Sequence, residues 1–249
     1  MIDSARSQSR DYRISHANVG TVQTYVEAYE KGYFAAQWEQ IEKPLLKSII
    51  NDLPIHPKSC LDFACGTGRI SSALAEIVPS VTGVDVSAEM LKVAEVPPNV
   101  ELLEMDITRY RLDKKFDLCT AFRFFLNAQQ DLRIEALKGI RKHITDDGFL
   151  IANIHMSSDS PMGFAYKGLR RMRGKVVHNT MKESEFVGLI ERNGFSVESI
   201  YHYSYLPKPG RYFPSFTQRA IIPFERLCKA VNVPERFSQS FCILAKASG

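Results

Sequence analysis

Apolar residues recur with two different periods along the chain. Between residues 22 and 52 their spacing is helical, which predicts helices over Val22–Lys31 and Tyr33–Asp52. From residue 58 onward short apolar runs alternate with amphipathic stretches, which predicts strands that alternate with helices. The polar residues 1–17 predict an irregular arm.

The alternating region predicts a parallel sheet. The predicted strands are 58–63, Ser80–Asp85, Asn99–Glu104, Phe116–Ala121, Phe149–His155, Phe195–Tyr205 and Ser240–Ala247. The predicted helices are 68–77, 87–95, Gln130–His143 and 182–193, with a turn over 145–148 before the fifth strand. Because such alternation implies right-handed crossovers, we expect an α/β fold whose mostly parallel sheet has helices on both faces.

The last third of the chain differs in composition. Residues 156–181 predict a long basic connector, and residues 206–237 form an insertion rich in proline and aromatic residues, with a short helix predicted over Pro223–Ala230. We therefore expect an N-terminal arm and helical cap over residues 1–55 and a single domain over residues 56–249, which contains the connector and the lid-like insertion.

A glycine loop follows the first predicted strand. The stretch from Cys60 to Arg69 runs from apolar residues through Asp62 to Gly66 and Gly68. Glycines at such a turn allow a ligand to lie against the backbone, and the free amides of the following helix attract its anionic part. The loop alone does not distinguish between nucleotide-like cofactors.

Three acids at the ends of successive strands narrow the choice of ligand. Asp62, Asp85 and Asp106 follow the first, second and third predicted strands. Ligands of open parallel sheets bind beyond the carboxyl ends of the strands, where Asp85 can accept both hydroxyls of a ribose and Asp106 an adenine amino group. The set predicts a site for an adenosine with a small charged tail.

At these residues the chain resembles the class I S-adenosylmethionine-dependent methyltransferases. The matching residues are Asp62-x-Ala64-x-Gly66-x-Gly68, Gly83-Val84-Asp85-Val86-Ser87, Met105-Asp106-Ile107 and Phe116-Asp117-Leu118, with Ala64 in place of the first loop glycine of the family. The resemblance implies a Rossmann-like, doubly wound, seven-stranded sheet with an antiparallel last strand. It implies a cofactor, S-adenosyl-L-methionine, held by Asp62, Ala64, Gly66, Gly68, Asp85, Val86, Met90, Asp106, Ile107, Ala121 and Phe122.

A nicotinamide or flavin dinucleotide is the alternative cofactor. Its fingerprint requires a third glycine where this chain has Ser71, and a second mononucleotide-binding half is missing. No metal site is expected, because Asp85 and Asp106 are already assigned to the nucleoside. The methyl donor is therefore the preferred cofactor.

Candidate catalytic residues follow the fourth and fifth predicted strands. We expect His155 to act as general base, because its pKa lies in a useful range, and Arg123 with Asn127 to orient the acceptor. No Asn-Pro-Pro-Tyr or Pro-Cys motif follows the fourth strand, which disfavours methylation of planar amides and of pyrimidine carbon 5. The alternative is structural: a core histidine and an arginine–carboxylate pair.

The acceptor class is less defined. A net charge of +4 does not by itself imply nucleic acid. The aromatic residues of the insertion predict a ring-lined acceptor pocket, which suits a small-molecule or glycan-type acceptor, possibly phosphorylated or lipid-linked. We expect a hydroxyl of that acceptor to be methylated (O-methylation). The cations of 166–175 leave RNA methylation open as an alternative, and a catalytically silent partner subunit is another. The aromatic and basic insertion is compatible with peripheral membrane contact. The five cysteines include no C-x-x-C pair and the sequence shows no secretory signal, so we expect a cytoplasmic protein. Because no apolar run is long enough, we expect no transmembrane segment.

Overall fold

Seven strands form one sheet in the computed structural model, which describes residues 12, 22, 26, 27, 29, 32–172, 180–206 and 214–248. The strands are β1 (Ser59–Phe63), β2 (Ser80–Asp85), β3 (Val100–Glu104), β4 (Phe116–Ala121), β5 (Ile144–Ile154), β6 (Phe195–Tyr203) and β7 (Ser240–Ala247). Their order in the sheet is β3-β2-β1-β4-β5-β7-β6.

Six strands run in one direction and β7 runs against them. The pairs β1–β2, β1–β4, β2–β3 and β4–β5 are parallel, whereas β7 is antiparallel to both β5 and β6. The carboxyl ends of β1, β2, β4 and β5 therefore meet at one edge of the sheet. The prediction of a Rossmann-like, mostly parallel sheet with an antiparallel last strand is confirmed.

Helices cover both faces of this sheet. They are α1 (Tyr33–Gln37), α2 (Lys43–Asn51), α3 (Arg69–Leu74), α4 (Ala88–Lys92), α5 (Gln130–His143), α6 (Pro161–Met172), α7 (Glu183–Glu191) and α8 (Pro214–Ala230). A π-helical turn, Trp38–Glu42, joins α1 to α2. Within the described ranges, no helix combines the length and the apolar character needed to cross a bilayer.

Two apolar clusters hold the helices to the sheet. Along β5, Leu150 and Ala152 join the cluster that contains α5 and α7, whereas Phe149 and Ile151 join the cluster that contains the N-terminal helices and α3. This division follows from the alternation of side chains along a strand, which sends successive residues to opposite faces. Both faces of the central strands are buried, as in other sheets with helices on both sides.

Three predicted elements differ from the structure. The turn predicted over 145–148 lies inside β5, because Ile144 pairs with Phe116 and a register shift after that pair accommodates the polar residues. The predicted basic connector contains α6. Helix α8 begins nine residues before the predicted start and includes Pro223. A proline removes only one backbone donor, and Ile221 and Glu225, two positions to either side, are buried against the protein.

Parts of the N-terminal prediction lie outside the described residues. Tyr12 and, in the predicted helix 22–31, Val22, Val26, Glu27 and Tyr29 are helical. The remaining residues of the arm, positions 173–179 of the basic segment and positions 207–213 of the insertion fall outside the description.

Candidate functional site

The glycine loop turns through left-handed backbone conformations at the end of β1. The φ angles are 56° at Ala64, 56° at Gly66 and 73° at Gly68. A Cβ atom built on Gly66 would meet no atom within 4 Å, whereas one on Gly68 would lie 2.5 Å from Cγ1 of Val96. A side chain at position 68 would thus displace Val96, while the backbone of Gly66 faces open space.

Asp85 connects this loop to the end of β2. Its Oδ2 accepts a hydrogen bond of 2.7 Å from the backbone N–H of Gly66, and its Oδ1 accepts one of 2.8 Å from that of Ser87. The arrangement fixes a carboxylate beside the bare backbone of the loop.

Asp62 lies beneath the loop and is only 1% exposed. The hydroxyls of Ser71 and Thr120 donate to its two oxygens at 2.6 and 2.7 Å. Burial raises the pKa of Asp62 to about 6, and these hydrogen bonds oppose the shift. Asp62 therefore joins β1, α3 and β4 inside the protein and supports the loop from below.

The other predicted cofactor residues lie along the same edge. Asp106 follows β3, and its Oδ1 accepts hydrogen bonds from the backbone N–H and the hydroxyl of Thr108 at 2.9 and 2.6 Å. Val86 follows Asp85 and is 39% exposed. Four further predicted residues are buried around this edge: Met90, Ile107, Ala121 and Phe122.

A buried ion pair occupies the carboxyl end of β4. Nη2 of Arg123 lies 3.0 and 3.1 Å from the two carboxylate oxygens of Glu42, whose side chain is 1% exposed. Arg123 itself has a left-handed φ of 62°, which is unusual for a residue with a Cβ atom. The pair connects the π-helical turn of the cap to the edge of the sheet.

Neighbouring polar groups complete a network around this pair. The Tyr203 hydroxyl donates to Glu42 at 3.1 Å and accepts from Asn153 at 3.1 Å. Asn153, in turn, accepts from the backbone N–H of Arg123 at 2.8 Å. Strands β4, β5 and β6 and the cap thus meet in one buried hydrogen-bonded cluster, which we call the Glu42 network (Glu42, Arg123, Asn153, Tyr203).

The three predicted catalytic residues follow two neighbouring strands. Asn127 donates through its side chain to the backbone oxygen of Arg123 at 2.8 Å, so it fixes the loop after β4. His155 directly follows β5 and is half-buried. The loop after β4 and the end of β5 are neighbours, because β4 and β5 pair in parallel.

Sequence reasoning missed Glu42 and Arg69. The guanidinium of Arg69, the first residue of α3, lies between two rings, 4.1 Å from the centroid of Tyr29 and 4.2 Å from that of Trp38. Glu42 could have been noticed, because it occupies the apolar face of its helix together with Trp38 and Ile49, where a charge requires a partner. The contact of Arg69 with the cap carries no comparable sequence signal.

Comparison with known proteins adds to this geometry. Residues 60–148 match a family described as "Methyltransferase domain". This stretch spans β1 to β4, α5 and the start of β5, and it contains Asp62, Asp85 and Asp106. The chain contains a class I methyltransferase domain. The match confirms the family that the motifs predicted, in which the methyl donor is S-adenosylmethionine.

Individual relatives are similar over different lengths. A cypemycin N-terminal methyltransferase from Streptomyces sp. is 37% identical over 100 residues, which are 38% of this chain and 41% of that protein. The chain therefore spans about two fifths of the length of this curated relative.

Two solved structures share the fold over most of the chain. Magnesium protoporphyrin IX methyltransferase from Synechocystis, with bound S-adenosylhomocysteine, has a TM-score of 0.64 at 15% identity and covers 95% of this chain and 97% of its own. N-methyltransferase NodS from Bradyrhizobium japonicum, also with S-adenosylhomocysteine, has a TM-score of 0.57 at 11% identity and covers 85% of this chain and 88% of its own. At such identities these two structures support the fold of the methyltransferase domain.

Proposed function

We propose that this chain transfers the methyl group of S-adenosylmethionine to a small-molecule or glycan-type acceptor, at a hydroxyl oxygen. The observation that supports it most is the pairing of Asp85 with the loop, in which the carboxylate lies 2.7 Å from the N–H of Gly66. A carboxylate fixed beside bare backbone suits a ribose whose attached chain runs along the loop.

The residues present fit the proposed cofactor. The open space at the Gly66 Cβ position leaves room for a ligand against the backbone. In the proposal Asp85 holds the ribose hydroxyls, Asp106 and Ile107 hold adenine, and the exposed apolar side chain of Val86 packs on the nucleoside. Ala64 and Gly66 contact the methionine part, while Asp62 and Gly68 shape the loop. When bound, the sulfonium supplies an electrophilic methyl group.

The acceptor side is formed by the ends of β4 and β5. In the proposal His155 accepts the proton that a hydroxyl loses as it becomes methylated, which requires the imidazole to be neutral. Arg123 and Asn127 position the acceptor, with Arg123 held in place by Glu42. Its guanidinium carbon also lies 5.5 Å from the ring centroid of Phe34 and 5.6 Å from that of Tyr29, which gives the acceptor side an aromatic wall.

Calorimetric titration with S-adenosylmethionine tests the cofactor assignment. Asp85→Ala is expected to weaken binding at least about 10- to 100-fold, because the loss of even one charge-assisted hydrogen bond costs about 1.5–3 kcal/mol. Glu104→Ala is the matched control, since Glu104 is an exposed acid at the end of the adjacent strand. Equal affinities for wild type and Asp85→Ala, or binding of NADH in place of S-adenosylmethionine, would refute the assignment.

The acceptor is tested by labelling. Purified protein is incubated with methyl-labelled donor and fractionated cell extract, and the label is followed into small molecules, glycolipids, proteins and RNA. Label in the first two fractions, bound to oxygen, supports the proposal. Label confined to RNA, or none with any fraction despite cofactor binding, would instead favour an RNA methyltransferase or a catalytically silent partner subunit.

Amine methylation is the second candidate. The relative from Streptomyces is named an N-terminal methyltransferase and is 37% identical to this chain over 100 residues. The match covers 38% of this chain and 41% of that protein, so most of each chain lies outside it. Label recovered on nitrogen of a peptide or small amine would favour this candidate over O-methylation.

His155→Ala tests the proposed base once an acceptor is known. We expect turnover to fall about 100-fold or more at neutral pH while cofactor affinity stays unchanged, because general-base catalysis typically contributes 10²–10⁴-fold. The deficit should shrink at higher pH, where hydroxide replaces the missing base. Full turnover in His155→Ala would remove His155 from the mechanism.

A further inference from the structure

Helix α8 exposes a row of large apolar side chains. The exposed fractions are 66% for Phe216, 36% for Phe224, 57% for Leu227 and 61% for Val231. Val231 directly follows the helix, and its backbone N–H donates to the carbonyl oxygen of Leu227, which extends the helical hydrogen-bond pattern by one residue. At 3.6 residues per turn these four positions fall within an arc of roughly 80°. Isolated exposed apolar residues are ordinary, but several large ones aligned along one side of a helix mark an interaction surface.

The opposite side of α8 is fixed to the protein. Ile221 is fully buried, and Glu225, at 4% exposed, accepts hydrogen bonds from the backbone N–H groups of Ser204 and Tyr205 at 3.2 and 3.0 Å. Cys228 on the same side is also buried. These contacts prevent α8 from rotating its apolar row inward, and they attach it next to the carboxyl end of β6.

The charges that α8 exposes are positive. Its four charged residues are Arg219, Glu225, Arg226 and Lys229, and the single acid among them is the buried Glu225. Arg219 and Arg226 are both exposed, and they lie about two helical turns apart on the same flank of the apolar row. Lys229 is 61% exposed, with its Nζ 3.9 Å from Glu225.

We propose that this surface of α8 (the apolar row Phe216, Phe224, Leu227 and Val231 with the flanking cations) docks on an anionic lipid bilayer. An apolar row beside a cationic flank is the pattern of helices that lie in a membrane interface, where the apolar side chains enter the acyl boundary and the cations meet phosphate groups. The helix spans about 25 Å, enough to lie flat on such a surface.

Charge complementarity selects this occupant over a second copy of the chain. In a symmetric dimer the same patch forms both sides of the interface, so the cations of both copies would be brought into the same contact. An anionic bilayer instead places negative charge opposite each of them. The inference concerns the surface and holds whichever acceptor is methylated.

Vesicle flotation with the full chain tests the proposal. We expect the protein to float with vesicles of phosphatidylglycerol and phosphatidylcholine, to stay unbound with pure phosphatidylcholine, and to lose binding as salt increases. The double variant Phe224→Ser/Leu227→Ser should partition into the vesicles about tenfold less, or weaker still. The double variant Arg219→Gln/Arg226→Gln should lose about fivefold in partitioning for each cation removed. Phe164→Ser is the matched control, because Phe164 is 76% exposed but lies on α6.

Two results would overturn the proposal. Equal flotation of wild type and the Phe224→Ser/Leu227→Ser variant would show that α8 is not the contact. The second result is a wild type that does not bind anionic vesicles and is dimeric by light scattering, together with a Phe224→Ser/Leu227→Ser variant that is monomeric. That result would assign the surface to a second copy of the chain. Far-UV circular dichroism and S-adenosylmethionine titration of each variant verify folding independently of vesicle binding.

Discussion

Removing the Glu42 carboxylate is expected to destabilise the protein strongly. In Glu42→Ala, Arg123 would keep its charge in a site where only 11% of its side chain is exposed, and the Tyr203 hydroxyl would lose its acceptor. Loss of one partner of a buried ion pair costs about 3–5 kcal/mol, because the remaining charge loses its carboxylate and regains little hydration. The residual exposure of Arg123 places our expectation near 3 kcal/mol, at the lower end of that range.

Urea unfolding measures this cost with two probes. Far-UV circular dichroism follows the sheet and helices, and the fluorescence of Trp38, the only tryptophan of the chain, follows the π-helical turn that contains Glu42. Coincident transitions in wild type would show that the cap and the sheet unfold together. A Trp38 transition at lower urea in Glu42→Ala would show that the Glu42 network attaches the cap to the sheet.

Two comparisons isolate the ion pair. Glu42→Leu combined with Arg123→Met should be more stable than Glu42→Ala, because apolar residues of similar size leave no uncompensated charge. Glu76→Ala serves as the matched control: Glu76 bridges Lys43 and Lys47 at the surface, and its stability should stay close to that of wild type. A Glu42→Ala variant within about 1 kcal/mol of wild type would refute the reasoning, since the buried charge would then cost little.

The buried Asp62 and the glycine loop yield further predictions. The pKa of Asp62 is raised to about 6 in the folded protein, against about 3.9 in the unfolded chain, so its contribution to stability is full below pH 4 and is lost as the pH rises through 6. Asp62→Asn should remove this pH dependence, which amounts to up to about 3 kcal/mol between pH 4 and 7 in urea unfolding. An unchanged pH profile of stability in the variant would contradict the raised pKa. Gly66→Ala should lower the free energy of unfolding by about 1–2 kcal/mol, because alanine is strained at a φ of 56°, and it should lose S-adenosylmethionine affinity in calorimetry. Gly68→Ala should be destabilised by about 1–3 kcal/mol more in urea, because its Cβ would in addition meet Val96. Equal effects of the two substitutions on both measurements would show that the loop does not separate packing from binding.

The sequence by itself determined the sheet and its edge of acids. Apolar runs broken by glycine and acid residues predict β1, β2 and β4, because strand period and turn chemistry are local properties. Asp62, Asp85 and Asp106 could be placed at strand ends for the same reason. The first residues of β5 and α8 could not be placed from the sequence. Whether Thr145–Gly148 forms a turn or belongs to a strand depends on the pairing of Ile144 with Phe116, which is 28 positions earlier in the chain.

The tertiary structure alone decided what each polar residue contacts. Asp62 and Asp85 look alike in sequence, yet one is enclosed by Ser71 and Thr120 and the other binds the loop amide. Arg123 could be recognised as an unusual polar residue, but its partner Glu42 comes from a helix 81 positions earlier. A charge in a low-dielectric site is governed by the groups that folding brings within a few ångströms, and these are distant in the chain.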